Sequence, residues 1–183
     1  MMKLSQVSLI LSFLALAVGI FIVGVSLLSA NRVVSYSGTR VTCKKFYLSQ
    51  EILPDHILYP IVAGFDRIIL WMAPKKEKIY LRADYGRIRY RYAQGLLAKG
   101  KDDFALTTVT KSQKYYGLAA HSAIDLPHAV KLKQYVARSL AENIQKTEKM
   151  SLKFTDDKRQ VVSHLNDQNK LLLETLHKQL SSD

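Results

Sequence analysis

With a single cysteine among 183 residues, the chain cannot close an internal disulfide, so its fold must be held by packing and hydrogen bonds. That residue, Cys43, follows Arg40-Val41-Thr42 rather than small apolar residues, which excludes it as a lipid anchor. It reads as an inert stalk residue, with an intermolecular disulfide as the alternative. Metal-ligand spacing is missing as well: there is no His-Glu-x-x-His, paired-cysteine or calcium-loop pattern, and His56, His121, His128, His164 and His177 are scattered. No serine sits in a Gly-x-Ser-x-Gly turn. These absences leave no catalytic, cofactor-binding or metal residue to name, and they point to a non-enzymatic protein.

One near match to a chemical motif fails on inspection. Gly95-Leu96-Leu97-Ala98-Lys99-Gly100-Lys101 fits the first seven places of a phosphate-binding loop, but the eighth, which needs a hydroxyl for Mg²⁺, is Asp102. The glycines also fall at a helix end rather than between a strand and a helix. Gly100 is therefore read as a helix terminator.

Charge is absent from residues 7–30 and concentrated elsewhere. The uncharged run includes Leu9, Ile10, Phe13, Leu14, Ile20, Phe21 and Val23 and exceeds the roughly 20 apolar residues that cross a bilayer as a helix. A cleaved signal peptide has a shorter apolar core, typically about 7 to 15 residues. Residues 1–6 then form a short tail and 7–30 a transmembrane helix. The formal charge of +12 is uneven: residues 75–101 hold nine Lys/Arg against Glu77 and Asp84. A field of that kind attracts polyanions or anionic surfaces, although a basic helix is commonly just a solvated face.

Residues 31–52 mix Val33, Val34, Tyr36, Val41 and Thr42 with Ser37-Gly38 and read as an extended stalk. Beyond it the pattern is helical. Pro60 suits the first turn of a helix carrying Ile61, Phe65, Ile68, Ile69 and Met72 and stopped by Pro74. A second helix, about Glu77 to Lys99, has two apolar stripes: Ile79, Ala83, Gly86, Tyr90, Ala93 and Leu97 on one, and Leu81, Tyr85, Ile88, Tyr92 and Leu96 on the other. Such a helix sits between two neighbours or leaves an aromatic face for a partner. Asp102 or Asp103 caps a third helix reaching Tyr115 or Tyr116, with Gly117 near its end.

Asp125-Leu126-Pro127 signals a further helix start, followed by Val130, Ala137, Leu140 and Ile144 on one face. No glycine or proline occurs from His128 to Asp183. Val162, Leu165, Leu172, Leu176 and Leu180 fall on alternating 3- and 4-residue steps if Asn169 fills one slot, a coiled-coil-like stripe suited to self-association. Thr155-Asp156-Asp157 predicts a bend, with one continuous rod as the alternative. The expected architecture is all-α: a transmembrane helix, a helical core over 53–120, and a C-terminal helical segment over 121–183.

The residues of 52–117 resemble a bacterial domain-of-unknown-function family of single-span proteins with a small helical exported domain. The resemblance is carried by Leu53-Pro54-Asp55, Leu58-Tyr59-Pro60, Lys75-Lys76-Glu77-Lys78, Arg87-x-Arg89, Leu96-Leu97, Lys99-Gly100, Thr110-Lys111 and Tyr115. It implies topology, with the C-terminal domain outside the cytoplasm, and no site residues. Arg32, Arg40, Lys44 and Lys45 outnumber Lys3 across the span and favour the opposite orientation, a bias that weakens for long domains.

Function is thus expected to be that of a module tethered to the cell membrane, binding a protein partner or organising the membrane surface. The alternative is an anionic-polymer or nucleic-acid binder, with Arg82, Tyr85, Arg87, Arg89, Arg91 and Tyr92 as the candidate surface. An enzyme with no recognisable motif comes last.

Overall fold

The computed structural model describes residues 52–182 together with Ser12, Leu16 and Gly19. The chain divides into two compact units, Met1–Glu51 and Ile52–Asp183. In the first, the three described residues are helical and exposed; the tail, transmembrane helix and stalk expected over 1–51 otherwise lie outside the described residues. Among the described residues no helix is long and apolar enough to cross a membrane.

The second unit is all-helical, with α1 at Tyr59–Met72, α2 at Lys75–Ala98, α3 at Asp102–Ile124, α4 at Val130–Ser151 and α5 at Asp156–Ser182. Short connections make successive helices neighbours. Helix α3 packs against α2, α4 and α5, whereas α1 touches only α2. The core-forming bundle is therefore α2–α5, and α1 is an attachment to it.

Local chemistry sets the boundaries. Pro60 occupies the first turn of α1, where a missing N–H has no cost. At the end of α2, Gly100 adopts φ 68°, its N–H bonds Leu97 O at 3.0 Å, and the Lys101 N–H bonds Leu96 O at 2.9 Å. This pair of bonds is a Schellman closure, which a residue free to take positive φ completes without strain. The α4–α5 break falls at residues 152–155. Arg159 holds it by donating to Ser151 O at 3.4 Å and Phe154 O at 3.3 Å, satisfying carbonyls at the break.

Two expected boundaries move. Gly117 does not lie near the end of α3: the helix runs on to Ile124, and Gly117 is buried inside it, where an added Cβ would stand 3.0 Å from Asn169 Oδ1. Its lack of a side chain serves the close approach of α5 rather than termination. The start signal at Asp125-Leu126-Pro127 is also displaced. Asp125 instead caps the C-terminus of α3, and His128 adopts φ 55°, which interrupts right-handed helix until Val130.

Two apolar clusters fill the bundle. One joins Ile79, Ala83, Tyr116, Ala120, Val136, Leu140 and Leu176, and the other joins Ala93, Leu96, Val109, Met150, Phe154 and Val162. A buried polar set from α3, α4 and α5 accompanies them: Ser112, Gln113, Asn143, Thr147, Asn166 and Asn169. Gln113 Nε2 donates to Asn166 Oδ1 at 2.9 Å and to Val162 O at 3.0 Å. Asn166 Nδ2 donates to Ile144 O at 3.1 Å, and Asn169 Nδ2 to Gln113 O at 3.3 Å. Asn169 thus fills its heptad slot with a hydrogen bond inside the chain. The stripe read as a self-association seam packs inward, with Val162 and Leu176 buried and Leu165, Leu172 and Leu180 half-buried.

Close packing of α2 on α3 yields a test. A Cβ at Gly86 would meet the Tyr116 ring at 2.7 Å, and that ring is buried, so Gly86→Ala is expected to destabilise by about 1–3 kcal/mol. At Gly95 the nearest atoms are Leu53 methyls at 3.4 Å, ordinary contact, and Gly95→Ala is expected to gain up to about 1 kcal/mol from helix propensity. Thermal unfolding followed by circular dichroism separates the two; equal effects would refute the close α2–α3 approach.

Candidate functional site

Helix α2 carries most of the residues singled out from sequence, and the fold scatters them. Tyr85, Arg89 and Tyr92 are buried, whereas Arg87 and Arg91 are exposed and Arg82 is half-buried. Arg82 Nη1 donates to Ser122 Oγ at 2.6 Å and to Leu118 O at 3.3 Å, bracing α2 against the last turns of α3. Arg87 lies 2.8 Å from Asp84 Oδ1 on its own helix. The six residues therefore share no single surface, and the interleaving of aromatic and guanidinium groups that suits base stacking does not survive on the outside of the helix.

Both stripes of α2 are covered instead. The first packs into the bundle, and the second receives α1 and part of α3. At that junction Arg89, only 5% exposed, is 3.5 Å from Asp66 Oδ2 of α1. Its guanidinium carbon lies 4.6 Å from the centroid of the Tyr115 ring and 5.7 Å from that of Tyr85. Tyr85 and Tyr115 meet edge to face at 6.0 Å, and Tyr59 of α1 meets Tyr92 edge to face at 6.4 Å.

A guanidinium suits this place because it is weakly hydrated, permanently charged and planar, so rings can cover it while a carboxylate pairs with it. Burial pushes the Tyr59 phenol up, with Arg89 opposing, so the phenol stays neutral near neutral pH. The cluster is a clamp that fixes α1 against α2.

The candidate surface read from sequence lacks Asp66, Tyr59 and Tyr115; Tyr59 and Tyr115 enter only through the family resemblance and, for Tyr115, as a helix end. A signal for Asp66 was present: it is the one acidic residue of a helix whose only other charge is Arg67, and a carboxylate that packs against protein needs a cationic partner.

The clamp presents the opposite side of α1 to the outside. Ile61, Phe65, Ile68 and Met72 are all exposed and fall within about 60° of arc at 100° per residue. Trp71, which flanks this stripe, is 82% exposed. No residue of α1 is buried, although nearly every one is apolar. Lys75 and Lys76, exposed, and Lys78, half-buried, follow directly in the first turn of α2, and Arg67 is exposed on α1 itself. An aggregated apolar patch rimmed by cations is the feature of the described surface that most resembles an interaction site.

Elsewhere the titratable groups act structurally. Asp55 is held by Lys101 at 2.8 Å and Lys99 at 3.3 Å; these bonds keep its carboxyl below the ordinary range and pin the segment before α1 to the end of α2. Burial raises the Tyr116 and Tyr135 hydroxyls. No group of three metal-binding side chains occurs among the described residues. No family model matches the chain, and neither a curated protein nor a solved structure is detectably similar to it.

Two measurements check these assignments. Replacing Arg89 by Met removes the clamp's charge, and the expected loss is roughly 2–4 kcal/mol of stability localised to α1. Amide exchange should accelerate in α1 while α3 and α4 are unchanged; uniform acceleration would make Arg89 a support of the whole bundle.

Asp84 is the second case. Its side chain is 7% exposed, and burial raises its carboxyl despite the opposing pull of Arg87. A carboxyl raised by folding favours the folded state when protonated, so its ionisation costs stability as pH climbs above the ordinary value of 3.8. Asp84→Asn should raise the unfolding midpoint at neutral pH, with the advantage shrinking toward about pH 4.

Proposed function

We propose that the chain is a membrane-tethered, non-enzymatic helical module of the cell envelope. In this reading residues 7–30 are its single span, 31–52 a stalk, and the helical unit lies outside the cytoplasm. The observation that carries it is the uncharged run of 24 residues joined to a bundle that completes its own core and still leaves an apolar helix face unspent. Its work is to bind a protein partner at the membrane or to organise the membrane surface.

Orientation separates cytoplasmic from envelope partners. A six-residue tail carrying only Lys3 can remain inside while a long domain is exported, despite Arg32, Arg40, Lys44 and Lys45 on the other flank.

Cys43, the chain's one thiol, reports the side. In intact cells, or in spheroplasts where a wall blocks access, a membrane-impermeant thiol reagent is expected to label Cys43 before lysis. Labelling that appears only after lysis, with a denatured control showing a free thiol, would place the helical unit in the cytoplasm.

A further inference from the structure

We infer that the outward face of α1 seats in the surface of an anionic bilayer, so that the helical unit lies against the membrane instead of hanging free from it. The inference rests on the tethered reading above for the membrane's proximity, but its evidence is the face itself. Ile61, Phe65, Ile68 and Met72 form an exposed stripe along a helix of 14 residues, about 21 Å long. The opposite side of that helix is already engaged, through Tyr59 on Tyr92 and Asp66 on Arg89. One side is therefore fixed to protein and the other is left for a different medium.

Three features favour lipid over a second protein surface. The stripe is small: Ile61, Phe65, Ile68 and Met72 with the flanking Trp71 are 41–82% exposed, which amounts to on the order of 500–650 Å² of accessible surface, against about 800 Å² per partner in a standard protein interface. A bilayer sets no such threshold, because its area and shape adapt to the helix. Next, Trp71, 82% exposed, flanks the C-terminal end of the stripe about 90° around the helix from its midline, and Lys75, Lys76 and Lys78, against the one carboxylate of Glu77, follow within one turn beyond Pro74. Indole at the headgroup level with lysine ammonium groups reaching outward is the arrangement that holds a helix in the plane of an interface, and the positive charge complements anionic lipid. Last, residues 31–51 separate the uncharged run from the helical unit that holds α1, a connection of 21 residues whose fully extended reach is at most roughly 70–75 Å. A span in the bilayer would thus keep α1 at high effective concentration near the same surface.

The chain contains one tryptophan, Trp71, so its fluorescence reads this face alone. The full chain is reconstituted into vesicles of mixed zwitterionic and anionic phospholipid, with and without brominated acyl chains. The expected result is blue-shifted emission, quenched by the brominated lipid and protected from aqueous acrylamide. Phe65→Asp combined with Ile61→Asp should abolish the bromolipid quenching without loss of helical ellipticity, since both side chains are exposed. Lys75→Glu with Lys76→Glu should weaken it on anionic vesicles.

Red-shifted emission open to acrylamide would overturn the inference. Blue-shifted emission insensitive to brominated lipid would also overturn it, by placing Trp71 against protein, as in a second copy. Flotation with the vesicles after alkaline carbonate washing is read separately and reports the tether, so either failure is recognised without the other.

Discussion

The bundle depends on one buried amide, Gln113 of α3, and on the partners that surround it. Its side chain donates to Asn166 and to the backbone of Val162 in α5, while its own backbone carbonyl accepts from Asn169. Asn166 in turn donates to the carbonyl of Ile144 in α4. Ser112, next in sequence, donates to Gly86 O of α2 at 2.6 Å and accepts from Asn143 of α4 at 3.4 Å. Four helices are thus joined through two adjacent residues. A buried amide without its partner costs about 1–3 kcal/mol, so sliding any of these helices by a turn would forfeit several such bonds together. Apolar contacts alone tolerate such slippage far better, because they are not directional.

That constraint requires the helices to come close, which explains the composition of α3. Ala105, Ala119, Ala120 and Ala123 are fully buried, and Gly117 is buried where a Cβ would crowd the Asn169 amide. Small side chains let the polar groups reach across without gaps. The larger apolar side chains that fill the remaining volume, Leu96, Leu140 and Leu176, come from the helices on either side.

The helices themselves were legible, since period, proline and glycine act locally. Pro60, Pro74, Gly100 and the Thr155-Asp156-Asp157 signal each mark an end that the structure has within a residue or two. What could not be read locally was the use of a residue whose role is set by another helix. Gly117 carries the same letter as Gly100, but one makes room for Asn169 and the other takes positive φ. Arg89 looks like its neighbours Arg87 and Arg91 until α1 and Tyr115 cover it. Asn169 sat in a stripe that suggested a partner chain, and its partner is Gln113. In each case the deciding atom lies more than 20 residues away along the chain.

The attachment of α1 follows different rules from the bundle. A fold needing only a core gains nothing from holding Ile61, Phe65, Ile68 and Met72 in water, and burying one such side chain is typically worth about 1.5–3 kcal/mol. Yet the chain spends a buried cation, a carboxylate and four tyrosine rings on fixing α1 in that attitude. Removing a charge from water is costly, and the Arg89–Asp66 separation of 3.5 Å is not close enough to make the ion pair alone the return on that cost. The clamp is better understood as orientation. A helix attached only by apolar contacts could roll its stripe inward against α2, whereas the Asp66 carboxylate can meet Arg89 from one rotational setting only. Arg89 therefore holds the apolar face outward, and the free energy withheld from folding remains to be recovered wherever that face meets an apolar medium.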